Sequence, residues 1–204
     1  MRILFLSNNS NTRSLVNWLK NTAEEEVIIR NDKISKKDIT EINPDFLISY
    51  NYKFIIKKEV LELLPNRAIN LHISLLPYNK GSNPNIWSFL EDTPKGVTIH
   101  LVDEGLDTGN ILVQKELLID ENKETLRSSY ELLHREIQTL FIENWENIKN
   151  GEIVSKPQTQ GGSIHSKKDF DELQPLIKEK GWDTPVGEFK AKYILYKLES
   201  TAQF

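Results

Sequence analysis

Apolar residues in this chain come in short runs divided by polar, turn-forming segments, and the runs alternate between two periods. Residues 3–6 are wholly apolar, as expected of a strand covered on both faces. Residues 27–29 repeat that pattern, and residues 46–50, apolar but for Ser49, read as a third strand after the turn Asn43-Pro44-Asp45. Residues 67–72, 97–102 and 111–118 read as further strands. Between them lie helical spacings: Leu15, Trp18 and Leu19, then residues 57–64 and 85–90. Residues 33–40 are charged and read as an exposed loop or short helix. Residues 125–149 form the longest helix, with Leu126, Tyr130, Leu133, Ile137, Leu140, Phe141, Asn144 and Ile148 on one core-facing stripe and Gly151 capping its end. This alternation predicts an α/β fold, a Rossmann-like, mostly parallel sheet flanked by helices, over residues 1–150. The signals weaken afterwards. Residues 153–154 and 161–165 suggest short strands, residues 167–180 a helix broken near Pro175, and residues 186–200 a last helix. Residues 151–204 are therefore expected to be a small C-terminal extension.

Composition narrows the classes. The chain has 204 residues and 38% hydrophobic content, enough for one sizeable core. A formal net charge of −4 offers no global electrostatic footprint for nucleic acid. No apolar run approaches the ~20 residues of a membrane span, and the opening apolar run is too short for a signal peptide. There is no cysteine, which excludes disulfides and thiol catalysis. The expectation is a cytoplasmic protein with neither a nucleic-acid nor a membrane partner.

The candidate chemistry lies in Asn70-Leu71-His72-Ile73-Ser74-Leu75-Leu76-Pro77 and in Val102-Asp103-Glu104-Gly105-Leu106-Asp107-Thr108-Gly109. Strand side chains alternate, so Asn70 and His72 project from one face near a strand's carboxyl end, where open α/β sheets bind ligands. Asn can donate to an oxyanion that forms only in the transition state, and His can donate or move a proton. A carboxylate beside that imidazole would orient it, and Asp107 is the candidate. The set has no Ser or Cys nucleophile, which points to direct acyl transfer between two bound substrates. Three acids among residues 103–107 lack a histidine at fixed spacing, so no metal site is expected. His100 reads as a structural histidine and His134 as a partly exposed bystander, while Trp87 and Phe89 read as core. The turn Ser7-Asn8-Asn9-Ser10-Asn11-Thr12 suits either a phosphate or a helix cap supplied by Ser10, Asn11 or Thr12. Tyr78 could stack on a base or sugar, and Lys80 could meet an anion.

Asn-x-His-x-Ser-Leu-Leu-Pro followed by Gly-Val-Thr-x-His-x-Val-Asp-Glu-Gly-x-Asp-Thr-Gly resembles the 10-formyltetrahydrofolate-dependent formyltransferases. The segment from Ser74 through Tyr78-Asn79-Lys80-Gly81 is most similar to sugar N-formyltransferases and to formylation domains of nonribosomal peptide synthetases. The resemblance implies Asn70, His72 and Asp107 as catalytic residues and N10-formyltetrahydrofolate as co-substrate. It implies folate contacts at Phe54, Ile55, Ile56, Leu76, Val102, Asp103, Glu104, Gly105 and Asp107. The acceptor it implies is a nucleotide-linked amino sugar, of the kind used in polysaccharide biosynthesis. Expected contacts with that acceptor are Ser7, Asn8, Asn9, Tyr78, Asn79, Lys80, Gly81 and Asn83. Relatives use the region after the catalytic core for dimer contacts, so a homodimer is among the implied assemblies. Alternatives are an aminoacyl or glycinamide ribonucleotide acceptor, or a non-catalytic folate or nucleotide sensor on the same fold.

Overall fold

The computed structural model describes residues 1–201, and the chain divides into two compact units. The first comprises Met1–His72, Thr98–Gln114 and Ile137–Thr159, and the second comprises Ile73–Val97, Lys115–Glu136 and the chain from Gln160 onward.

A six-stranded sheet runs in the order β2-β1-β3-β4-β6-β7. Its strands are β1 (Arg2–Leu6), β2 (Glu26–Arg30), β3 (Phe46–Tyr50), β4 (Ala68–His72), β6 (Lys95–Leu101) and β7 (Ile111–Leu117). β1 pairs in parallel with β2 and β3, and β3 with β4; β4 pairs antiparallel with β6. The mostly parallel expectation holds, and the burial explains it. Every residue of β3 is buried, as a strand covered on both faces requires. Helices α1 (Arg13–Asn21), α2 (Lys36–Ile42) and α3 (Lys58–Leu61) fill the early crossovers. Ser35 and Asp38 close α2 with a reciprocal capping box, which makes the charged segment helical. One core layer joins Leu4, Leu6, Ile39, Leu47, Val60 and Ala68. In another, Phe46 and Phe141 both pack on Trp145, which is fully buried.

Within the second unit, β5 (Lys80–Gly81) pairs in parallel with β8 (Ile164–His165). Helices α4 (Pro84–Leu90), α6 (Lys167–Asp171) and α7 (Val186–Thr201) accompany them, and the long α5 (Leu126–Lys149) contributes residues to both units. Ile86, Phe89, Leu126, Phe170, Val186 and Phe189 build this unit's core, against which Trp87 also packs.

Four local expectations are corrected. Residues 153–154 form no strand; instead Lys156 makes an isolated bridge with Ile111, and Val154 stands 83% exposed with no ladder to join. Only Lys58–Leu61 of the expected 57–64 helix is α-helical, and Pro65 follows closely. The cap of the turn after β1 comes from Asn9, whose side chain accepts from Asn11 N–H. His134 is no exposed bystander but buried, because the apolar stripe of α5 is broader than its Leu and Ile positions alone suggest.

Candidate active site

The last residues of β4 carry the site. Asn70 and His72 leave the strand on one face, and in the antiparallel register Asn70 lies directly opposite His100 of β6. The loop from Asp103 to Gly109 then returns Asp107 to this corner. All four residues belong to the first unit. Asn70 Nδ2 donates to Asp107 Oδ1 at 3.1 Å and lies 3.2 Å from His100 Nε2. His72 Nδ1 stands 3.5 Å from Asp107 Oδ2, longer than a hydrogen bond but within ion-pair reach if the imidazole is protonated. Both side chains are nearly buried, at 7% and 10% exposure, so their attraction is weakly screened.

Loop geometry is held by specific groups. Asp103 Oδ1 accepts from Gly105 N–H and from the Thr108 hydroxyl, a local turn that occupies its carboxylate. A Cβ on Gly109 would sit 1.8 Å from the Leu101 carbonyl oxygen, so only glycine lets the returning chain pass β6. Asp107 itself has φ of +54°, a left-handed conformation that Asp tolerates better than most residues. Gln158 fastens this bend from outside the motif. Its Nε2 donates to the Asp107 carbonyl at 2.8 Å and to the Gly109 carbonyl at 2.9 Å. Neither Gln158 nor the partnership of His100 with Asn70 was foreseen from sequence. The only signal for His100 was its place in the Val-Thr-x-His strand, which becomes informative once the antiparallel register is known.

A cavity adjoins the corner. Residues 52–56 and Ser49 line it, together with Asn70 and His100 and with Val102, Asp103, Gly105, Leu106 and Asp107. Its walls mix aliphatic and aromatic side chains with backbone and a few polar groups, a character suited to a flat heterocycle. Ile55 is 70% exposed at this site, whereas Ile56 is buried in the core. Glu104, expected here, does not line the cavity. Its carboxylate pairs with Lys58 at 2.8 Å, and that bond pushes the Lys58 pKa up. Among the described residues no three His, Asp or Glu side chains converge as metal ligands, and no helix is long and apolar enough to cross a membrane.

The expected acceptor residues belong to both units. Ser7, Asn8 and Asn9 spend their polar groups locally. Thr12 Oγ1 donates to Asn9 O, and Asn8 bridges Asn31 O and Lys53 N–H. Leu76, expected as a folate contact, lies in the second unit and is buried, beside the cis peptide bond it makes with Pro77. Tyr78 is 36% exposed and Lys80 is largely buried. Asn79 is fully buried: its amide donates to Glu91 Oε2 at 2.8 Å and accepts from the Thr93 hydroxyl at 2.7 Å. Asn79 therefore braces its own turn, which removes it from the side chains offered to a ligand. Gly81 continues β5, and Asn83 is the left-handed cap of α4.

Comparisons with known proteins agree with this architecture. The formyltransferase PseJ from Anoxybacillus kamchatkensis, crystallised with UDP-4,6-dideoxy-4-formamido-L-AltNAc and tetrahydrofolate, superposes with a TM-score of 0.86. It is 48% identical, with 94% of this chain and 99% of that one covered. Methionyl-tRNA formyltransferase of Thermodesulfovibrio yellowstonii is 40% identical over 134 residues, 64% of this chain but 42% of that protein. The dTDP-4-amino-4,6-dideoxyglucose formyltransferase of Mycobacterium bovis is 34% identical over 116 residues, 56% of this chain and 49% of that protein. The chain thus spans about half the length of these curated relatives. The Formyl transferase family profile matches residues 20–144, and the chain belongs to that family.

Proposed function

We propose that the protein is an N-formyltransferase that moves a formyl group from N10-formyltetrahydrofolate to the primary amine of a nucleotide-linked amino sugar. The observation that carries this reading is the convergence of Asn70, His72 and Asp107 beside a cavity of mixed apolar and polar walls. The cavity residues fit a folate: Phe54, Ile55, Val102 and Leu106 offer apolar faces to a ring, and the backbone around Asp103 and Gly105 offers polar groups to its edge. The co-substrate supplies a formyl group bound as an amide. As an acceptor amine adds to the formyl carbon, negative charge grows on the formyl oxygen. Asn70 and protonated His72 donate to that oxygen. Asp107 orients His72 and helps carry the proton from the attacking nitrogen towards the leaving nitrogen. Holding both substrates together removes much of the entropic part of the barrier.

The sugar acceptor is supported by the similarity to PseJ, which extends over nearly the whole of both chains. A UDP-linked 4-amino sugar is therefore the first candidate. The similarity to methionyl-tRNA formyltransferase favours an aminoacyl-tRNA as second reading, against which the net charge of −4 stands. The test is an acceptor screen with N10-formyltetrahydrofolate, offering UDP- and dTDP-linked 4-amino sugars beside glycinamide ribonucleotide and methionyl-tRNA. The expected outcome is the mass gain of one formyl group on a sugar nucleotide. Gain on the tRNA alone would replace the acceptor. Tight folate binding without transfer to any acceptor would make the protein a sensor.

A further inference from the structure

From the hydrogen bonding around Asn70 we infer that His100 sets the orientation of the Asn70 side-chain amide, a positioning role for the transfer proposed above and resting on that reading. His100 is 2% exposed and sits on β6 directly across from Asn70. Its Nδ1 lies 2.8 Å from the carbonyl oxygen of Leu101, which can only accept, so Nδ1 carries the hydrogen. In the neutral ring this leaves a lone pair on Nε2, the atom 3.2 Å from Asn70 Nδ2. Asp107 Oδ1, the other neighbour of that nitrogen at 3.1 Å, is likewise an acceptor. Both neighbours therefore select the NH2 end of the amide. A half-turn of the Asn70 amide would set its carbonyl oxygen against a nitrogen lone pair and a carboxylate oxygen in a buried corner, two repulsive contacts at once.

The orientation matters because the proposed role of Asn70 is to donate, and its amide has two hydrogens: one stays on His100 Nε2, and the other passes from Asp107 Oδ1 to the formyl oxygen as charge grows there. A flipped amide would present an acceptor to an oxygen that is gaining negative charge. Asp107 selects the same orientation, but it stands on a loop and shares its carboxylate with His72. His100 is carried on a sheet strand and bonded to its own backbone, so it keeps hold of the amide when Asp107 takes part in proton movement. Its service to the reaction is exerted through Asn70 rather than on the reacting atoms.

The variants that test this are His100→Leu, which removes the acceptor at similar bulk, and His100→Gln, whose Oε1 can occupy the place of Nε2. Two readouts are taken: kcat with KM for N10-formyltetrahydrofolate, and solvent exchange of the Asn70 Nδ2 hydrogens by NMR, assigned by their loss in Asn70→Asp. His100→Leu is expected to lower kcat and speed that exchange by about tenfold or more, with KM changed by less than about twofold. His100→Gln is expected to recover most of both. The inference is overturned if His100→Leu leaves the Asn70 exchange unchanged, or if His100→Gln falls as far as His100→Leu, since the ring would then only fill space. Should the wild-type protein transfer no formyl group to any acceptor, the functional reading fails, while the exchange comparison still decides the role of His100.

Discussion

The four histidines of this chain divide evenly between its two units, and the two pairs behave differently. In the first unit His72 and His100 both approach Asp107, at 3.5 and 3.4 Å, beside a cavity that Asn70, His100 and Asp107 line. In the second unit His165 is held on two sides: its Nε2 meets Glu91 Oε1 at 2.7 Å, and its ring stacks on Trp87 with centroids 3.8 Å apart. Glu91 Oε2 meanwhile accepts from Asn79 and from the Ser163 hydroxyl. His134 packs its ring edgewise against Tyr130 within the buried stripe of α5. An Asn, a His and an acid thus occur together twice. One set has short bonds that close on themselves and brace the β5–β8 pair. The other faces a cavity, where a substrate can reach it. Position beside a cavity rather than residue type separates the proposed reactive cluster from the structural one.

That contrast can be broken by experiment. The largest effect is expected at the cavity-facing cluster: Asn70→Ala and His72→Ala should each lower turnover by on the order of a hundredfold or more while leaving thermal stability and folate binding close to wild type. Single-turnover formyl transfer and a melting curve measure the two sides, and turnover surviving both substitutions would refute the catalytic assignment. Next comes His134. Burial lowers its pKa to about 4 from an ordinary value near 6.5. The folded protein therefore favours the neutral ring. The stability this brings is fully present above pH 6.5 and is lost as pH falls towards 4, by about 3 kcal/mol at most. Urea unfolding at several pH values across that window should show the loss in wild type and a flatter profile in His134→Leu; equal slopes would contradict it.

Glu91→Ala should act oppositely to the Asn70 substitution. It strips partners from Asn79, Ser163 and His165, and about 2 kcal/mol of stability, roughly 4–8 °C in Tm, is expected to go. A catalytic loss without a shift in melting temperature would place Glu91 in the wrong class. The smallest effect is expected at Gln158. Gln158→Ala frees the two carbonyls that flank Thr108 without touching a reacting group, so kcat should fall by about tenfold or less with stability changed by about 1 kcal/mol. A Gln158→Ala enzyme as impaired as His72→Ala would mean that Gln158 does more than hold the Asp107 bend.

Much of this was legible along the chain because it rests on local periodicity. Period-two and wholly apolar runs locate β1, β3 and β4, and residues 46–50 coincide with β3 to the residue. Asn70 and His72 follow from strand alternation alone. Glycine at 109 is needed where the backbone crosses Leu101, and the Asp103 turn depends on groups within five residues. The weak C-terminal signals were less readable. Residues 164–165 become a strand only because Lys80 and Gly81 lie alongside, and residues 153–154 fail to become one because nothing does.

Sequence by itself determined the order of the six main-sheet strands, the face shared by Asn70 and His72, and the motif that marks the family, since each depends on neighbours within a few positions. Only the tertiary structure decided that β6 runs antiparallel to β4 and so sets His100 against Asn70. It also decided that Gln158, 51 positions along the chain, closes on the Asp107 carbonyl, and that Asn79 is consumed by Glu91. Those pairings join residues far apart in sequence through strand register and burial, and neither quantity is written in any short window of the chain.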